Sequence, residues 1–208
     1  MIDAATLATY MVVVLGLFLI PGPAVLLTVA RAASGGPRIG LATGFGIAAG
    51  DLVHTIMATV GLSAILMTSA LAFSIVKYAG VAYLVYLGVR AILEKPEPLD
   101  MPSVRAITGA KAFRQAMLAE VLNPKTALFF LAFLPQFVHP QNGSPVLQLA
   151  TLGLVFVAMS AAYTALIAFG AGALTGFLRR NAAIWRWQGK VVGAVYLGLG
   201  LRLALQQR

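Results

Sequence analysis

Leu17-Phe18-Leu19-Ile20-Pro21-Gly22-Pro23-Ala24-Val25-Leu26 lies inside a stretch, Ala4 to Ala30, that carries no charged residue. That stretch is long enough to cross a bilayer as one helix. Yet each proline removes a helix hydrogen bond and clashes with the carbonyl one turn back. A single proline would only bend the span. Two prolines around one glycine predict that it unwinds near mid-depth. In hydrocarbon, freed backbone groups persist only where they face protein, a cavity or a ligand. The expectation is therefore a broken span whose second half starts near Ala24. The positive end of that half-helix would turn inward as a candidate binding site.

Composition sets the class. Of 208 residues, 60% are hydrophobic and 10% charged, against about 25% charged in a soluble domain. This predicts an all-α integral membrane protein with no room for a separate soluble domain. The net charge of +9 reads as loop charge facing anionic lipid, not as a nucleic-acid surface. The chain has no cysteine, which removes disulfides, thiol redox chemistry and thiolate metal sites. The first segment has Asp3 and no basic leader, so it reads as a span and not as a cleavable signal.

Working outward from the first break, apolar runs predict six transmembrane helices at about 7–33, 39–66, 71–93, 112–138, 146–178 and 188–204. The fourth is also broken, at Asn123-Pro124. The third and sixth share K-x-x-G-x-x-Y-L, from Lys77 to Leu84 and from Lys190 to Leu197. Each half thus begins with a proline-broken helix and ends with this motif. Three spans per half is an odd number, so the halves must run oppositely: two inverted three-helix repeats, a secondary-transporter signature. The whole chain, 1–208, reads as one transmembrane domain, with repeats at about 1–93 and 112–208 and a linker at about 94–111. Loops after the odd-numbered spans hold Arg31, Arg38, Arg90, Lys95, Arg105, Lys111, Arg114, Arg179, Arg180 and Arg186. They should face the cytoplasm, with both termini on the other side.

Few residues inside the spans could carry chemistry. Asp51 lies about 18 Å into the second span, close to the bilayer centre. A carboxyl there is costly and by default functional, although it could simply hydrogen-bond a neighbouring helix. It is the candidate proton-coupling group. His54, three residues on, is within reach as its partner, or is a packing residue. Lys125 follows the second break at a depth that disfavours simple snorkelling, and could attract a carboxylate or pair with Asp51. Asn123 offers a donor and an acceptor beside Pro124, where the backbone is freed. Glu120, one turn earlier, reads equally well as facing a polar entrance and is not counted as a site residue. Ser160, Tyr163 and Thr164 share a face of the fifth span; they could line a cavity or join helices. The candidate substrate site is then Pro21, Gly22, Pro23, Ala24, Asn123, Pro124, Lys125, Ser160, Tyr163 and Thr164. Two histidines make no histidine-rich metal site, and no G-x-S-x-G or P-loop occurs. No enzyme, metal or cofactor is expected.

Pro21-Gly22-Pro23, the segment Gly44 to His54, and Leu122-Asn123-Pro124-Lys125-Thr126 through Phe133-Leu134-Pro135-Gln136-Phe137-Val138 together resemble the lysine/threonine exporter family (LysE/RhtB type). The third span, with Gly80 and Tyr83-Leu84-Val85-Tyr86-Leu87-Gly88, is similar too, so the resemblance covers essentially the whole chain. One departure is Ala24, where many members have Asn. The resemblance implies a multi-pass exporter of amino acids or related metabolites in the bacterial inner (plasma) membrane, driven by proton antiport. The expected partners are an amino-acid-like substrate, protons and membrane lipids, with no nucleic acid; a homodimer is admitted. A passive channel and a non-transporting membrane scaffold are the alternatives. The channel would need a hydrated path; the scaffold would need no charge at mid-depth.

Overall fold

The computed structural model describes residues 2–19, 22–68, 70–93, 107–180 and 182–205. Eight α-helices occupy them: α1 (Ala4–Leu19), α2 (Pro23–Gly35), α3 (Pro37–Thr68), α4 (Ala70–Leu93), α5 (Gly109–Val121), α6 (Pro124–Ala132), α7 (Pro145–Arg180) and α8 (Ala182–Leu205). There is no strand among the described residues. Both predicted breaks are present. The first axis bends by 60° between α1 and α2, and the second by 51° between α5 and α6. Pro23 and Pro124 each open the second half-helix, where a missing N–H costs nothing. Pro21 lies outside the described residues.

Two uninterrupted stretches, Pro37–Ser63 in α3 and Pro145–Ala171 in α7, are long and apolar enough to cross a membrane. Each bent pair has the length and composition of one more span, which makes up to four among the described residues. The third and sixth predicted runs fall on α4 and α8. The outward surface is apolar: Val60, Leu166 and Phe169 are each about two-thirds or more exposed, as side chains facing lipid should be.

Helix α3 is the hub, packed along α7 on one side and α5 on another. Glycines make this possible. A methyl group built at Gly44 would stand 2.6 Å from Thr164 Oγ1 on α7, and one at Gly50 the same distance from Glu120 Cβ on α5. Without side chains there, the backbones close together. Helices α4 and α8 form a second close pair, with Gly88 against Leu197 and Gly193. An aromatic cluster of Phe129, Phe130, Phe133, Phe137 and Phe156 fills the centre. Tyr10 of α1 is fully buried beside it and donates its hydroxyl to the Leu152 carbonyl at 3.0 Å. Two chain reversals are held locally. Gly36 takes φ +81° between α2 and α3, a conformation that favours glycine. Gln148 is bonded to both backbone groups of His139 and to the Gly143 carbonyl, fixing the turn before α7.

Candidate functional site

The bends of the two broken spans meet. A methyl group built at Gly22, in the first break, would lie 3.3 Å from the Lys125 ammonium on the first turn of α6. The space around them is a cavity of about 50 Å³, room for roughly three or four waters. No side chain caps the start of α2 at Gly22, so the N–H groups of a helix N-terminus are available at Ala24 and Val25 on the cavity wall. At the other break Asn123 is the N-cap, and its Oδ1 accepts from the Lys125 N–H at 3.0 Å. The break is thus stabilised by its own side chain.

Two acids complete the polar side. Asp51 is 1% exposed and Glu120 is 4% exposed, and both line the cavity. Asn123 Nδ2 donates to both Glu120 carboxyl oxygens at 3.2 Å, and the Thr126 hydroxyl donates to Oε1. Glu120 is the acid beside Lys125. It is also within side-chain hydrogen-bonding reach of Asp51, as is Ser160. Glu120 thus links Asp51 and Lys125 electrostatically, and the three share the polar side of the cavity. The opposite wall is apolar: Leu17, Phe18, Val25, Ile47 and Phe156, with Phe18 stacked on the Tyr163 ring at 5.5 Å.

Of the residues named from sequence, Gly22, Ala24, Asp51, Asn123, Lys125, Ser160, Tyr163 and Thr164 are brought to this one cavity. Pro23 and Pro124 act next to it, as the first residues of α2 and α6. His54 is not on the wall. Its Nε2 stands 2.9 Å from the Glu120 carbonyl oxygen, which can only accept, so Nε2 carries the hydrogen. Its ring stacks on Phe130 at 5.8 Å. The acid beside Lys125 is Glu120, where sequence reading looked to Asp51. Glu120, which from sequence reads equally well as facing a polar entrance, is part of the cavity wall. Its signal was present in the spacing: three residues before Asn123, it lies on the helix face that the N-cap side chain can reach. Among the described residues no group of His, Cys, Asp and Glu could hold a metal ion.

Residues 15–207 match the family described as LysE type translocator. The chain is 32% identical over 201 residues to an uncharacterized membrane protein of Pseudomonas aeruginosa, covering 94% of this chain and 93% of that one. It is 26% identical over 209 residues to an uncharacterized membrane protein of Bacillus subtilis, covering 96% and 99%. It is 24% identical over 200 residues to a leucine efflux protein of Klebsiella pneumoniae, covering 96% and 94%. No solved structure matches.

Proposed function

This multi-pass plasma-membrane protein belongs to the LysE type translocator family, and from that membership we propose that it exports amino acids by exchange for protons. The observation that carries the reading is the grouping of Asp51, Glu120 and Lys125 beside two interrupted helices. A zwitterion has one group for each sign of charge there. Its carboxylate suits Lys125 and the start of α2. Its ammonium suits the two acids. The apolar wall would take the side chain, and the relatives named as leucine efflux proteins make a neutral aliphatic amino acid the first substrate to try.

The architecture we infer is six spans in two inverted three-helix repeats within one domain. The contacts support it, since like elements pair: the second spans α3 and α7, and the third spans α4 and α8. A cavity that holds only a few waters is smaller than an amino acid. The walls must therefore part to load it, and the bends beside Gly22 and Asn123 are where the backbone already lacks helical hydrogen bonds.

The test is counterflow in proteoliposomes with a panel of radiolabelled amino acids, L-leucine first. The expected result is saturable exchange and uphill movement when a proton gradient is imposed. No flux of any amino acid would overturn the export reading. Flux that only runs downhill, and ignores the counter-gradient, would make the protein a pore.

A further inference from the structure

Asp51 on α3 and Glu120 on α5 are both buried and line the same small cavity, and Gly50, next to Asp51, packs directly on the Glu120 side chain. Glu120 is already supplied with donors, from Asn123 and Thr126. Asp51 has less: the Ser160 hydroxyl on α7 is within reach of its carboxyl, but its Oδ2 is buried and has no hydrogen-bond partner. An ionised carboxylate oxygen left without a donor there is costly, whereas a neutral carboxyl tolerates it far better. Two carboxyls in hydrogen-bonding reach also need a proton between them, because like charges at that spacing cannot both persist. We propose that Asp51 and Glu120 form a dyad holding one transportable proton, with Asp51 the neutral member that donates to Glu120. The proposal rests on the export reading for its role in transport, but the dyad is a property of the empty protein.

The surrounding groups set the proton count. Lys125, on α6, faces the single negative charge of the dyad and balances it. Tyr10 on α1 is engaged by the Leu152 carbonyl, and His54 on α3 by the Glu120 carbonyl. Tyr163 on α7 lies on the wall against Phe18. Among the described residues the cavity wall has no second cation. Two protons on the dyad would remove the negative charge that acts on Lys125. No proton would leave one excess negative charge, which the ammonium group of an entering substrate meets at the two acids while its carboxylate is taken up at the start of α2. The proton then leaves to cytoplasmic water as the substrate ammonium arrives, and a proton from the opposite side replaces the substrate as it leaves. One zwitterion out for one proton in carries one positive charge inward per cycle.

The experiment is infrared spectroscopy of the purified full-length protein at neutral pH, in light and heavy water. The chain has only six acidic residues, so assignment by single substitution is tractable. Wild type should show a carboxylic-acid carbonyl band that shifts on deuteration. Asp51→Asn and Glu120→Gln should each abolish that same band, because either amide can donate to the remaining carboxylate and make the proton unnecessary. Absence of the band in wild type overturns the dyad, and this arm needs no variant. A band lost in only one of the two variants also overturns it, since the proton then belongs to one residue alone. Failure of amino-acid counterflow would leave these spectra unchanged, so loss of the export reading and loss of the dyad are separately visible.

Discussion

Lys125 concentrates the site's positive charge. An ammonium at that depth must be matched by an anion or dipoles, and Glu120 is the acid beside it. Replacing it by methionine keeps an unbranched side chain one atom shorter and removes the charge. Lys125→Met should weaken amino-acid binding on the order of tenfold or more, the scale of a charged hydrogen bond, and Lys125→Arg should restore only part, because a planar fork does not replace a compact ammonium in a small space. Substrate-induced thermal stabilisation of the purified proteins reads this directly. Unchanged affinity in the methionine variant would place the carboxylate subsite elsewhere. At the same scale, Gly50 is a contact and not a hinge. A methyl group there would stand 2.6 Å from Glu120 Cβ, pushing α3 from α5. Gly50→Ala should destabilise the protein by about 1–3 kcal/mol, as overpacking does. Thermal unfolding in detergent is the measure; wild-type stability would mean that the two helices separate there at no cost.

At the scale of elements, α2 and α6 owe their starting points to proline. Pro23 and Pro124 each take the first helical position, and each follows a residue with extended backbone, Gly22 and Asn123. Asn123 caps its helix with a side chain, whereas Gly22 cannot. The start of α2 is therefore the less satisfied of the two and the better place for an anion. Replacing both Pro21 and Pro23 by alanine should let α1 run on toward α2 and withdraw that end from the cavity. We expect weaker substrate binding in a protein that remains folded, measured by equilibrium binding alongside circular dichroism. Should affinity survive, the first break is only a bend. The breaks were legible because proline acts on its own neighbours. That Gly22 and Lys125 lie together was not, because they are far apart in the chain and no local rule joins them.

For the whole molecule, loop charge predicts which side each turn faces, and the absence of cysteine gives a clean test. Ser34 and Ser144 are both exposed, in α2 and just before α7. Ser144 is a better site than its neighbour Gly143, whose φ of +127° disfavours any side chain. Ser144→Cys should react with an impermeant thiol reagent in intact cells, and Ser34→Cys should react only after the membrane is opened. The reverse pattern would invert the orientation. Membrane residence, all-helical structure and the two interruptions followed from local chemistry: hydrocarbon demands that each backbone group be satisfied within its own helix, and proline prevents that wherever it sits. Glu120 shows where such reasoning stops. A helical acid can face water, lipid or protein at the same sequence position, and here the close approach of α3 at Gly50 closes it in. Packing also turned His54 to a backbone carbonyl and brought Glu120 to one cavity with Asp51 and Lys125. Which polar side chains meet depends on the rotation and spacing of neighbouring helices, and those are set by contacts between residues remote in the chain.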